Sequence, residues 1–167
     1  MTPSTPRLEQ RGAQPFVAIR MQVPIPFGQY LGPAWQEVSA WLAQRGAAPA
    51  GAPIIRYITT DMSQKLEIEV GFPTTAPLPA DERISSDVFP AGRYAVLSHF
   101  GPYDGLVQAT ASLLAWADQH GVTWQTSHPD GIEHWRARFE SYPTDPDDQP
   151  DPAKWQTEII FLTAESA

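Results

Sequence analysis

The order of short sequence motifs in the first half of the chain recurs in the second half. The segment "WLAQRG" at 41–46 corresponds to "WADQHG" at 116–121, "GQY" at 28–30 to "GPY" at 101–103, and "EVGF" at 69–72 to "EIIF" at 158–161. Three matches in the same order indicate a duplicated structural unit rather than chance similarity. A duplication of this kind restricts the fold to two copies of one small module with a common core.

Each half predicts the element order β-α-β-β. Hydrophobic periodicity predicts strands at 16–23, 53–60 and 65–72 and a helix at 28–46, followed by strands at 92–100, 134–142 and 155–162 and a helix at 101–121. The Pro-rich segment 73–82 is typical of a linker. The prediction is one α+β domain over 15–163, with duplicated β-α-β-β modules at about 15–73 and 84–163. They form one antiparallel sheet with two helices on one face and a ligand groove on the other.

The N-terminal segment has no periodic apolar residues. "MTPSTPRLEQRGAQ" therefore predicts a mobile arm over residues 1–14 and lacks the apolar stretch of a signal peptide. No apolar run is long enough to cross a membrane, so we expect a cytoplasmic protein without a membrane partner.

Composition narrows the class of partner. The chain has 167 residues, a net charge of −8 and only 11 Lys and Arg without a basic stripe, which argues against direct binding of nucleic acid. There is no Cys, so thiolate chemistry and disulfides are excluded. Six Trp in a chain of this size favour an aromatic ligand site, and the acidic surface either attracts cationic small molecules or serves solubility alone.

Most motifs of metal and cofactor chemistry are missing. The four His show no metal-ligand spacing, there is no G-x-S-x-G elbow and no phosphate-binding loop, and the run "DPDDQPD" is interrupted by Pro and predicts a solvated acidic loop rather than a calcium site. We therefore expect neither a metal nor a cofactor.

Strand alternation predicts where the ionisable side chains lie. Leu66, Ile68 and Val70 alternate with Glu67 and Glu69, so both glutamates should lie on the helix-free face. The repeat aligns Glu158 with Glu69.

In the second half, the pattern Trp135, Ala137 and Phe139 predicts a helix-side face, which assigns Glu140 and Tyr142 to the helix-free face. The ligand-binding residues predicted there are Glu69, Glu140, Glu158, Tyr142 and Tyr57, with Trp155 beside them. Glutamates on a solvated sheet face are also ordinary, and this reading stays open for Glu67 and Glu69. Trp35, Trp41 and Trp116 lie on apolar helix faces and are predicted as core.

Four segments of the second half resemble the GyrI-like, or gyrase-inhibitor-like, effector-binding domains. They are "FPAGRYAVLSHFGPYDGL" at 89–106, "LLAWADQHG" at 113–121, "FESYPTDP" at 139–146 and "TEIIFL" at 157–162, with a weaker match at "VAIRMQV" and "IEVGFP". The resemblance covers about residues 15–163. It implies two β-α-β-β modules around a central groove. DNA-reading relatives carry a helix-turn-helix in front of such a domain, and the short N-terminal arm here leaves no room for one, so we expect a stand-alone domain.

The resemblance also implies roles for individual residues. The ligand-contacting Glu of the family falls on Glu158, its E-x-Y motif on Glu140 and Tyr142, and its aromatic strand residue on Tyr57. Two functions remain open. One is binding of amphipathic, aromatic, cationic small molecules, either to sequester them or to sense them through a partner protein. The other is hydrolysis of strained cyclopropane rings in alkylating natural products, with Glu158, Glu140 and Tyr142 as catalytic residues. A gyrase-inhibitor-like role in protein–protein binding is a third option.

Overall fold

The computed structural model describes residues 5–24, 28–59, 66–129 and 131–164. Its strands are β1 (Arg7–Arg11), β2 (Gln14–Val23), β3 (Ile54–Tyr57), β4 (Leu66–Pro73), β5 (Ser85–Phe89), β6 (Gly92–Phe100), β7 (Thr126–Ser127), β8 (His134–Trp135), β9 (Arg138–Ser141) and β10 (Gln156–Leu162), and its helices are α1 (Leu31–Gln44) and α2 (Leu106–Gln119). Short 3-10 turns at Gly28–Tyr30 and Tyr103–Gly105 lead into the two helices. None of the helices in these ranges is long and apolar enough to cross a membrane.

Eight strands form one antiparallel sheet in the order β1-β6-β10-β9-β3-β4-β2-β5, and β7 and β8 pair separately. The order β6-β10-β9 in one half mirrors β2-β4-β3 in the other, so β9 and β3 meet at the centre. The predicted α+β class, with one antiparallel sheet and two helices, is confirmed.

Both helices pack on the same face of the sheet. Strand register places Leu97, Ile159, Glu140, Ile55, Val70 and Ile19 in one row across β6, β10, β9, β3, β4 and β2. Helix α1 covers the Ile55–Ile19 end of this row through Val38 and Leu42, and α2 covers the Leu97–Ile159 end through Leu113. The two central strands therefore lie between the helices.

Each helix ends at a glycine in the left-handed region. Gly46 has φ +66° and Gly121 has φ +67°, a conformation that glycine adopts without the steric cost of a Cβ. The amide N–H of Ala47 and of Val122 then returns to the carbonyl of Leu42 and of Ala117. These two glycines are the last residues of the matching motifs "WLAQRG" and "WADQHG".

The helix-free face is not a solvated surface at its centre, because the sheet curls and aromatic side chains fill the space. Phe89 of β5 stacks between Phe16 of β2 and Phe139 of β9, with ring centroids 4.1 and 4.0 Å apart. Tyr94 and Ile160, both 1% exposed, belong to the same cluster. Apolar side chains therefore pack on both faces of the sheet near its centre, and hydrophobicity alone does not distinguish the two faces.

The N-terminal segment is ordered where the sequence predicts a mobile arm. Residues 7–11 form β1 and pair with β6 from Arg7 opposite Val96 to Arg11 opposite Gly92, and β2 already begins at Gln14. The prediction is wrong for these residues because backbone pairing, and not burial of an apolar stripe, holds the strand. The remainder of the predicted arm before residue 5 lies outside the described residues.

The leading strand of each half pairs with the other half. β1 precedes β2 in the chain but pairs with β6, the first strand of the second module. β5 precedes β6 but pairs with β2, the first strand of the first module. This reciprocal exchange places a strand from the opposite module at each edge of the sheet.

Candidate functional site

A break in the predicted strand 134–142 determines which way Glu140 points. β8 ends at Trp135, residues 136–137 form a bend, and β9 begins at Arg138. Trp135 packs with the α2 cluster, whereas Ala137 and Phe139 pack in the helix-free cluster. The bend therefore changes the parity of the strand, as a bulge does, and turns Glu140 toward the helices.

Glu140 is a buried carboxylate in an apolar row. It lies between Ile159 of β10 and Ile55 of β3 and is 6% exposed. Tyr57 donates its hydroxyl to Oε1 of Glu140 at 2.9 Å, and the hydroxyl of Tyr142 donates to the same oxygen. Two phenols, one from each module, thus compensate the carboxylate in place of water.

The environment of Glu140 changes the acidity of the whole cluster. Burial raises the pKa of Glu140, and the hydrogen bonds from Tyr142 and Tyr57 and the charge of Arg138 oppose this rise. Burial and the nearby carboxylate raise the pKa of both tyrosines well above 10. Both phenols therefore remain protonated donors at neutral pH.

Two further polar groups lie on the same side of the sheet. Arg138 stacks on Phe161 and Trp135, with Cζ 4.4 and 4.6 Å from the ring centroids, and its buried Nε has no hydrogen-bond partner among the described residues. Thr157 of β10 is fully buried opposite His99 of β6, and its Oγ1 also lacks a hydrogen-bond partner among the described residues. Buried polar atoms without a hydrogen-bond partner are rare in proteins, and a functional role is one explanation for them.

Aromatic rings cover this cluster from both modules. Trp35 of α1 contacts Tyr142 edge-on at 5.6 Å, and Tyr103, just before α2, contacts it at 5.9 Å. Trp155 stacks on Tyr103 at 4.9 Å and donates its Nε1–H to the carbonyl of Gln149. We call the region above β9 and β3, between the helices, the inter-helix seam. Its residues are Glu140, Tyr57, Tyr142, Arg138, Thr157, Trp35, Tyr103 and Trp155.

The other two predicted glutamates lie on the opposite face. Glu158 is opposite Ser98 and Ser141 and lies 3.7 Å from Arg7 of β1. Glu69 is 3% exposed and is bound by Arg56 at 2.6 Å and by Ser85 at 2.8 Å. The prediction that Glu69, Glu140 and Glu158 share one face is therefore wrong, because the strands that carry them have opposite parity at these positions.

The structure thus brings together four of the six predicted site residues: Glu140, Tyr142 and Tyr57 directly, and Trp155 through Tyr103. Sequence reasoning missed Tyr103, Arg138 and Thr157, and it assigned Trp35 to the core. The spacing of Arg138, Glu140 and Tyr142 would have identified the arginine, because alternate residues of a strand share a face. No group of three or more His, Asp or Glu suited to a metal ion occurs in the described ranges.

A family model described as GyrI-like small molecule binding domain matches residues 4–162. A search of curated protein sequences gives no significant match.

Solved structures share the fold. The C-terminal domain of EcmrR is 20% identical, with a TM-score of 0.75 over 98% of this chain and 99% of that chain. A hydrolase from Listeria innocua is 15% identical, with a TM-score of 0.62 over 96% and 92%. SAV2435, whose structure contains tetraphenylphosphonium, is 15% identical, with a TM-score of 0.59 over 96% and 94%.

Proposed function

Because the chain belongs to the GyrI-like small-molecule-binding domain family, we propose that its inter-helix seam binds amphipathic, aromatic cations with Glu140 as the counter-charge. The observation that carries this proposal is a buried carboxylate held by two phenols and covered by aromatic rings. A flat organic cation satisfies such a site, because its charge pairs with the carboxylate and its rings stack on Trp and Tyr.

The aromatic cover defines the entry to the site. Tyr103 is 38% exposed and lies between Trp155 and Tyr142, whereas Glu140 is almost fully covered. A ligand reaches the carboxylate by displacing the ring of Tyr103 and taking its place against Tyr142. Ligand rings then replace the protein's own ring contacts, so apolar burial is retained while the carboxylate gains a cationic partner.

Tetraphenylphosphonium and neutral triphenylphosphine oxide, titrated against the wild-type protein and Glu140→Gln, test the proposal. A charge-assisted contact contributes about 1.5–3 kcal/mol, so we expect Glu140→Gln to weaken the cation by about 10- to 100-fold and the neutral molecule much less. Glu158→Gln is the matched control, since it removes the same charge on the opposite face and should leave both affinities unchanged. Equal losses for the cation and the neutral molecule would contradict the proposal.

One observation supports a second candidate, hydrolysis of strained cyclopropane rings. Glu140, whose pKa is raised by burial, and the two phenols bound to it form a set of acid and base groups in a largely dry environment. In this reading Glu140 positions water and Tyr142 assists at the developing charge. A cyclopropane-bearing alkylating agent, incubated with the protein and followed by mass spectrometry, should give ring-opened product, and Tyr142→Phe should lower the rate by about 10²–10⁴-fold. A rate equal to that in buffer alone, with the agent bound, rules out this activity for that agent.

A further inference from the structure

The helix-free side of the sheet contains a cavity that is separate from the inter-helix seam. Its volume is about 190 Å³, and it lies where the β1–β2 connection, the start of β3, the end of β5 and strand β9 converge. Its apolar walls are Ile54, Phe89, Tyr94 and Phe139, and Arg11, Gln14 and Ser141 supply polar groups. We call it the back cavity. Residues of both modules form it, so it exists only in the assembled domain.

The walls of the back cavity are suited to one aromatic ring. Phe89 and Phe139 are stacked, with centroids 4.0 Å apart, and Tyr94 meets Phe139 edge-on at 6.3 Å. A cavity of about 150 Å³ with apolar walls is large enough for benzene, and 190 Å³ therefore accommodates a single ring with a small substituent. Molecules with several fused rings exceed this volume.

The polar part of the back cavity is positive. Arg11 is about one-third exposed, and its one ion pair within the described residues is a 3.5 Å contact to Glu9, whose closer partner is Arg7 at 2.6 Å. The Gln14 amide already donates to the carbonyls of Pro15 and Thr74. Arg11 therefore has spare donors for a ligand, whereas Gln14 does not.

The field around the cavity has the same sign. Burial raises the pKa of Tyr94 to about 12, and the positive charges of Arg11, Arg136 and Arg56 oppose that rise. Each of the other carboxylates described on this face contacts an arginine. Glu9 and Glu158 contact Arg7, Glu67 contacts Arg20, and Glu69 and Asp87 contact Arg56. Among the residues that line the cavity, the charged one is Arg11, so its guanidinium is the charge that a ligand meets there.

We propose that the back cavity is a second small-molecule site, which binds a one-ring aromatic carboxylate with its carboxylate on Arg11 and its ring against Phe89, Tyr94 and Phe139. The two sites select opposite charges. They are also back to back on one strand, because Phe139 and Ser141 of β9 line the cavity while Arg138 and Glu140 face the inter-helix seam. The site does not depend on the function proposed for the seam.

The test uses three one-ring probes: 4-fluorobenzoate, 4-fluorobenzyl alcohol and 4-fluorobenzylamine. Binding of each probe is measured by fluorine NMR at probe concentrations up to about 10 mM, because ligands with so few atoms bind weakly. We expect the carboxylate to bind more tightly than the alcohol, and the amine not to bind. Arg11→Gln should weaken the carboxylate by about tenfold or more. Arg20→Gln is the control, because it also removes one positive charge from this face, where Arg20 pairs with Glu67. It should change the affinity for the carboxylate by less than about twofold.

Two further variants separate this site from the seam. Ala52→Leu adds volume to the cavity lining without changing charge and should abolish carboxylate binding. Glu140→Gln should leave that binding unchanged. The proposal is overturned if 4-fluorobenzoate does not bind, if the amine binds as well as the carboxylate, or if Glu140→Gln removes binding while Arg11→Gln and Ala52→Leu retain it.

Discussion

The hydroxyl of Tyr57 lies 2.9 Å from Oε1 of Glu140, and the two residues come from different halves of the chain. Tyr57 ends β3 and Glu140 lies in β9, the two strands that join the modules. A hydrogen bond across this junction requires both modules to be in place. The candidate site is therefore a property of the assembled domain and not of either half.

The titration of Glu140 should appear in the stability of the protein. Burial raises the pKa of Glu140 above its ordinary 4.5, so the native state retains a proton that the unfolded chain has released in the pH range just above that value. Glu140 thus contributes stability below pH 4.5 that is lost as the pH rises through the raised pKa. We expect the free energy of unfolding of Glu140→Gln, relative to wild type, to increase across this range and then remain constant. Urea denaturation between about pH 4 and pH 8 measures this difference, and parallel curves would contradict it.

Removal of either phenol should raise the pKa of Glu140 further. The hydrogen bonds from Tyr142 and Tyr57 both favour the charged carboxylate and oppose the effect of burial. We expect a higher titration midpoint for Glu140 in Tyr142→Phe and in Tyr57→Phe, observed as the pH dependence of its side-chain carbon in NMR. Tyr94→Phe is the control, because the Tyr94 hydroxyl donates to the carbonyl of Pro90 and does not contact Glu140. A midpoint unchanged in both variants would show that the phenols do not stabilise the carboxylate.

Removal of β1 should destabilise the domain. Replacement of residues 7–11 by Gly and Ser at constant length removes the paired strand and exposes the edge of β6. Each net backbone hydrogen bond contributes about 0.5–1.5 kcal/mol before the entropy of ordering, so we expect a loss of about 2 kcal/mol. In a chain of this size that loss lowers Tm by roughly 4–8 °C, which calorimetry detects. An unchanged Tm would mean that β1 does not pair in solution.

Gly71 should not tolerate a side chain. A Cβ at this position would lie 1.9 Å from the carbonyl oxygen of Val17 and 2.7 Å from the Cα of Ala18, both backbone atoms of β2. Gly71→Ala forces β2 and β4 apart, and we expect a loss of about 3 kcal/mol or more in the free energy of unfolding. Gly12→Ala is the matched control, because nothing lies within 4 Å of its Cβ and its φ is not positive. Urea denaturation of the two variants gives the comparison, and similar stability for both would contradict the close approach.

The sequence predicts the helices and strands better than it predicts which face of the sheet each side chain lies on. The strand predicted at 92–100 matches β6, and the helices predicted at 28–46 and 101–121 contain α1 and α2 after their 3-10 turns. The sequence does not predict β5, because its segment "SSDVF" is short and polar and is held in the sheet by pairing with β2. Local periodicity identifies an element, whereas pairing with a distant strand does not leave a local pattern.

The sequence predicts Glu140 on the wrong face of the sheet for a specific physical reason. Trp135 lies on the helix side, and a regular strand from it predicts that Phe139 lies there too. The bend at residues 136–137 reverses the alternation, so Glu140 lies there instead. Apolar clusters lie on both faces of the sheet around β9, so hydrophobicity does not correct the error. The resemblance implies ligand-site roles for Glu140 and Tyr142 but does not say on which face of the sheet their side chains lie.

The exchange of leading strands has a consequence for the order of folding. β1 is synthesised first, yet its partner β6 lies more than eighty residues later in the chain. Pairs this distant in sequence form late and slow the folding of a domain. In the first module, β2 therefore pairs with β5 only after the linker and β5 have left the ribosome. β1 pairs only after β6 of the second module has been synthesised. With the same exchange, two separate copies of one such half would form a symmetric dimer, whereas in the present chain residues 74–84 connect the two halves.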